Sequence, residues 1–142
     1  MATDDRRLRK TLTPNDVGAT GSHQAGVHVP KSLVSFFPSL DPSALNPDAW
    51  LHIEAQGATH RWRFIHYNNG VVGSGTRDEY RLTHVATSFR ALGAAAGDVL
   101  ELVRVGAPTS YSCRLVQTER DTAVLVLSTD GPWHVVQMRR HE

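Results

Sequence analysis

The chain has 142 residues, 40% hydrophobic, 20% charged and 7% aromatic, with a formal net charge of +1. This composition fits one globular domain with a single core; no apolar run approaches the roughly 18 residues of a membrane helix, and MATDDRRLRK has no apolar segment to act as a signal peptide. One cysteine, Cys113, excludes an internal disulfide and a cysteine-rich zinc site, as expected of a soluble chain in a reducing cytoplasm.

Residues 1–12, dense in charge, are expected to be a flexible leader, and residues 13–142 the single folded domain. From Thr13 to Pro30 the small, polar and glycine residues predict a loop, followed by a short strand over Gly26–Val29. Pro30 and Pro38 bracket a helix of about two turns ending at Phe37, and Pro38, Pro42 and Pro47 keep the following segment irregular. The period then becomes two: Trp50–Ala55 and Ala58–Tyr67 read as strands joined by a tight turn at Gln56-Gly57. Asn68-Asn69-Gly70 is a turn signal, Thr76–Thr83 alternates as a strand, and Ala86–Gly93 reads as a short helix with Thr87 as cap and Gly93 as stop. Four more short strands, Val99–Val105, Tyr111–Gln117, Thr122–Ser128 and Trp133–Met138, complete a mainly β barrel or pseudobarrel with two short helices. Trp50, Trp62 and Trp133 all sit in alternating strands and are expected in the core.

The near-zero net charge conceals segregation. Residues 1–31 carry +2, 32–59 carry −3, 60–90 carry +3 and 91–142 carry −1, so two segments can supply a basic surface. Thirteen of the fifteen cations are arginine, the residue whose planar fork fits phosphate and guanine. No catalytic set stands out. The positions two before Lys10 and Lys31 are Leu8 and Val29, so the acidic-x-lysine element of a metal-dependent nuclease is absent, and the histidines have no carboxylate spacing that completes a metal site. Gly70–Gly75 lacks the strand-to-helix setting of a nucleotide loop.

The informative segment is Arg77-x-Glu79-x-Arg81. At strand spacing all three side chains share a face, and two arginine forks flanking a carboxylate match guanine O6 and N7 and the cytosine amino group. The same pattern also suits a plain salt-bridge ladder on an exposed strand. Were the partner DNA, phosphate contacts would be expected from Arg61, Arg63, Asn68, Asn69 and the Arg6–Lys10 cluster, although Asn-Asn-Gly makes a hairpin turn without any ligand.

Three phrases, TPNDVGATGSHQAGVHVPK (13–31), HYNNG (66–70) and TRDEYRLT (76–83), in that order and spacing, resemble the N-terminal effector domain of EcoRII-type Type II restriction endonucleases. That domain is a DNA-binding pseudobarrel similar to the plant B-three transcription-factor domain, and the resemblance spans residues 12–98. It implies a wrench-like grip on the major groove of double-stranded DNA at a short pseudopalindrome, CC(A/T)GG in the best-known members. By motif position His23, Arg77, Glu79 and Arg81 would read bases, and Gly21, Ser22, Gln24, His28, Lys31, Asn68, Asn69 and Thr76 would make arm or backbone contacts. Two departures stand out: Gly75 where the family often has lysine, and His28 where an aromatic is usual. In the whole enzymes this domain is fused to a magnesium-dependent nuclease domain, so the resemblance implies a monomeric, non-catalytic, cofactor-free recognition domain of a prokaryotic cytoplasm. Two alternatives are a binding module for RNA or modified bases, with Trp62 and Tyr67 forming an aromatic pocket, and a metal-dependent hydrolase using His60 and His66.

Overall fold

The computed structural model describes residues 7–18 and 26–117, together with a strand pair at Leu125–Val126 and His134–Val135. Its elements are β1 (Arg7–Thr11), β2 (Val27–Val29), a 3-10 helix (Lys31–Phe36), β3 (Asp48–Ala55), β4 (Ala58–Tyr67), α1 (Asn69–Val72), β5 (Glu79–Thr83), α2 (Ala86–Leu92), β6 (Val99–Arg104), β7 (Ser110–Val116), and the short β8 and β9 of that pair.

Seven strands form one sheet in the order β1-β6-β7-β3-β4-β5-β2, antiparallel throughout except for the β3–β7 pair. The sheet curls until its two edge strands flank one apolar gap of about 200 Å³, lined by Leu8, Val27, Val29, Phe37, Leu82 and Leu100 among others. The result is a pseudobarrel, closed by side chains where a full barrel would have backbone hydrogen bonds. The interior holds Leu51, Ile53, Trp62, Phe64, Leu82, Phe89, Leu102 and Tyr111. Alternation on β3 produces this directly, because Leu51, Ile53 and Ala55 face in while Trp50, His52 and Glu54 face out. The β3–β4 hairpin turns on Gln56 (φ 50°) and Gly57 (φ 78°), two positive-φ residues of the kind a primed turn needs.

Several expectations change. Arg7–Thr11 is a sheet strand and not a leader: Leu8 packs on the core, while Arg7 and Arg9 turn outward to Glu101, which Arg114 also approaches. A charged exterior face masked the alternation. The segment after Pro30 is 3-10 and not α-helical; it ends at Phe36, whose carbonyl accepts the Tyr111 hydroxyl at 2.8 Å. Val85, not Thr87, precedes α2, and no side chain caps it, whereas Gly93 ends the helix in the left-handed conformation (φ 67°) as expected. Of the two expected C-terminal strands, only Leu125–Val126 and His134–Val135 lie within the described residues, and Trp133 lies outside them.

Cys113 is 6% exposed among core side chains, and burial pushes its thiol up to about 12. A thiol raised that far stays protonated at pH 8, and the thiolate is the reactive form. Ellman's reagent should therefore leave the native domain unlabelled and titrate one thiol once denaturant is added; fast native labelling would contradict this packing.

Candidate nucleic-acid interface

On the outer face of the barrel, β4 presents Arg61, Arg63, Ile65 and Tyr67, β5 presents Glu79, Arg81 and Thr83, and β2 presents His28. Register draws them together: Tyr67 pairs with Glu79, Ile65 with Arg81, and Arg81 with His28. Arg77 precedes β5, so the expected strand starts three residues late. Its backbone is nonetheless fixed, because its N–H donates to Asn69 Oδ1 at 2.8 Å and its carbonyl accepts from the Gly70 N–H at 2.7 Å. Asn69 and Gly70 open α1, a single helical turn in place of the expected tight turn.

The Arg77 guanidinium lies 3.8 Å above the centre of the Tyr67 ring and donates through Nη2 to Glu79 Oε1. Arg81 Nη1 stands 3.6 Å from Glu79 Oε2, and its Nη2 donates to the Gly26 carbonyl at 3.0 Å. Glu79 thus sits between two arginines, as the spacing suggested, but the arginines are not equivalent. The Arg77 side chain is 42% exposed and that of Arg81 only 4%. Arg77 and Glu79 form the accessible pair; Arg81 braces Glu79 from beneath. The hydrogen bond from Arg77 is the main cause holding the Glu79 carboxyl below its ordinary value of 4.5, with the charges of Arg77, Arg81 and His28 acting in the same direction against burial. A carboxyl lowered in this way stays ionised at any pH above its ordinary value and loses its charge only as pH falls below it. The surface therefore carries a forked donor beside a permanent acceptor.

Behind this pair, Asp78 faces the opposite way. It accepts from Lys31 Nζ at 2.5 Å and from His66 Nε2 at 2.8 Å. His66 stacks on Tyr80 (3.9 Å), Tyr80 on Phe64 (5.7 Å) and Phe64 on Phe37 (4.7 Å), a column of rings from the core to the segment that carries Arg77. On the other face of the sheet, the one that carries Arg63 and Tyr67, a groove of about 810 Å³ is lined among others by Gly18, Gly26, Arg63, Tyr67, His84 and Arg90. Gly18 and Gly26 are the described residues on either side of segment 19–25.

The remaining expected contacts divide. His28 is exposed and close enough to Glu79 to act on its charge; Thr76 is exposed; Lys31 is exposed but engaged by Asp78. Asn69 positions the Arg77 backbone. Asn68 is 1% exposed, its amide donating to the Ala44 carbonyl and accepting from the Asn46 N–H, so it holds the preceding turn and offers nothing to a ligand. Gly21, Ser22, His23 and Gln24 lie outside the described residues. Trp50, expected in the core, is 37% exposed, with Arg61 over its ring at 4.6 Å and His84 at its edge. Trp62 is fully buried and donates to Ser88, so it cannot form a base pocket with Tyr67. His60 bonds Ser88 and His66 bonds Asp78, and among the described residues no three His, Cys, Asp or Glu gather as a metal site. The Tyr67 ring under Arg77 was not expected; its sequence signal is its place as the last outward residue of β4, ahead of the turn.

The curled seven-stranded sheet with few short helices is a B-three-like pseudobarrel. A solved complex of Arabidopsis FUS3 with DNA matches it with a TM-score of 0.55 at 18% identity, covering 79% of this chain and 97% of that one. Residues 3–113 match the model of the family described as restriction endonuclease EcoRII, N-terminal, and the chain belongs to that family. The Type II restriction enzyme EcoRII of Escherichia coli is 39% identical over an alignment of 90 residues that covers 58% of this chain and 22% of that enzyme, so the match spans about a fifth of its length.

Proposed function

We propose that this domain binds double-stranded DNA sequence-specifically, as the recognition part of a Type II restriction endonuclease whose cleavage chemistry resides elsewhere. The observation that carries the reading is the exposed Arg77–Glu79 pair, a fork and an acceptor side by side on a rigid strand end. In the major groove Arg77 would bind guanine O6 and N7 and Glu79 the paired cytosine amino group. Arg81 braces Glu79, and His28, Thr76 and Arg63, the last paired with Asp48 at 2.6 Å, would contact phosphates. The segment containing Gly21, Ser22, His23 and Gln24 would form the second arm, with His23 reading a base. Membership of the EcoRII family supports DNA binding; the site would be a short pseudopalindrome, CC(A/T)GG, engaged by a single copy of the domain without a metal or cofactor of its own.

Fluorescence anisotropy on a CC(A/T)GG duplex and on one changed at a single G·C pair, across a salt series, tests this. Binding should be weaker for the changed duplex by about 1–3 kcal/mol, with a linear log-salt slope set by the phosphates neutralised. Equal binding to both duplexes would reject sequence reading.

Gly75 invites a further expectation. A Cβ there would lie 2.5 Å from Asn69 Cγ, the side chain that holds the Arg77 N–H. Gly75→Lys, which restores the residue common in the family, should therefore weaken cognate binding by about 1 kcal/mol, the worth of one hydrogen bond. Tighter binding of the variant in the same assay would show that the lysine gains a phosphate without disturbing Arg77.

A further inference from the structure

We propose that Tyr67 is a positioning residue for base reading: its ring sets the plane of the Arg77 guanidinium so that the fork meets DNA already aimed. The proposal rests on the reading of Arg77 as a base contact. An arginine side chain has many rotamers, and a bidentate contact to a base edge demands one plane, so restraining it beforehand lowers the ordering cost at binding. Arg77 is restrained at three places. Asn69 and Gly70 fix its backbone, Glu79 takes one edge of the guanidinium, and the Tyr67 ring takes its flat face at 3.8 Å. The backbone that carries the ring is itself anchored, because Tyr67 is paired with Glu79 across the sheet and is followed by the buried Asn68. A cation over the face of an aromatic ring is attracted by its quadrupole, which an aliphatic side chain of similar bulk does not supply.

The two faces of the guanidinium thus have different duties. One lies on Tyr67, and 42% of the side chain remains open to a partner. A ring suffices for this role, and no hydroxyl is required.

The test compares Tyr67→Phe, Tyr67→Leu, Arg77→Ala and the double variant Arg77→Ala/Tyr67→Leu on the cognate and single-change duplexes. Tyr67→Phe should keep the discrimination of the parent domain. Tyr67→Leu should lower it about tenfold while leaving the salt slope and the affinity for unrelated DNA unchanged. The double variant should be no worse than Arg77→Ala alone. Full discrimination by Tyr67→Leu, equal losses from Leu and Phe, or additive losses in the double variant would each overturn the proposal. If Arg77→Ala itself keeps full discrimination, the reading of Arg77 as a base contact falls, and the proposal falls with it. If Arg77→Ala loses discrimination and Tyr67→Leu does not, only the positioning role of Tyr67 falls. An independent measurement needs no DNA: in the free domain the Arg77 Nε–Hε resonance should be shifted upfield by the ring in the parent and in Tyr67→Phe but not in Tyr67→Leu. An unshifted resonance in the parent would overturn the stacking even if Tyr67→Leu failed to fold.

Discussion

Arg77→Ala should reduce affinity for the cognate duplex by about 1–3 kcal/mol, the worth of one bidentate base contact, and leave the thermal midpoint nearly unchanged. Arg77 is the exposed arginine of the pair, and a partly solvated ion pair contributes little to stability. Arg81→Ala should behave differently although it lies only four residues away. Its guanidinium is 4% exposed and ties β5 to the Gly26 carbonyl while standing 3.6 Å from Glu79. Removing it leaves a partly buried carbonyl without the Arg81 donor and Glu79 with one arginine in place of two. A cost of about 2–3 kcal/mol in unfolding free energy follows, together with relaxed discrimination at the base pair Glu79 addresses. Urea unfolding and duplex anisotropy on both variants separate the two effects. Should Arg77→Ala destabilise the fold as much as Arg81→Ala does, the division into reader and brace would be wrong. Equal and undiminished discrimination in both variants would remove the whole cluster from DNA reading.

The contrast between these arginines also marks where sequence reasoning stops. Strand period put Glu79 and Arg81 on one outward face, and the β4 alternation put Arg63 and Tyr67 beside them, because both periods are local properties of the backbone. Whether an outward arginine is exposed depends on what lies over it, and Gly26, fifty-five residues earlier, is a partner that no local pattern reveals. Asn68 misled for the same reason. Its turn chemistry was legible, but its partners Ala44 and Asn46 come from the proline-rich segment before β3. The strand Arg7–Thr11 was hidden in the opposite way: an edge strand with one charged face resembles a solvated arm until its partner β6 supplies Glu101. Residues whose roles arise from local spacing were readable, and those whose roles arise from long-range contacts were not.

Gly26→Ala should be among the most damaging single substitutions in the domain. Gly26 has φ 88°, where an L side chain costs about 1–2 kcal/mol, and an added Cβ would overlap the Leu82 carbonyl oxygen and press on the Thr83 backbone. The obstruction is backbone and not a flexible side chain, so β2 must withdraw from β5, its sole partner in the sheet. That withdrawal disturbs the Val27–Leu82 and His28–Arg81 pairings and moves the carbonyl that anchors Arg81. The expected loss is about 3–5 kcal/mol, a fall of roughly 10–17 °C in Tm for a chain of this size. Gly18→Ala supplies the control. Gly18 has φ 79° and borders the same 19–25 segment, but among the described residues a Cβ there meets nothing within 4 Å. It should cost only the conformational strain, about 1–2 kcal/mol, and leave DNA discrimination intact. The difference between the two variants isolates the overlap with β5. If Gly26→Ala were no worse than Gly18→Ala, β2 would not be held against β5 as described. Arg81 would then lose the anchor through which it braces Glu79.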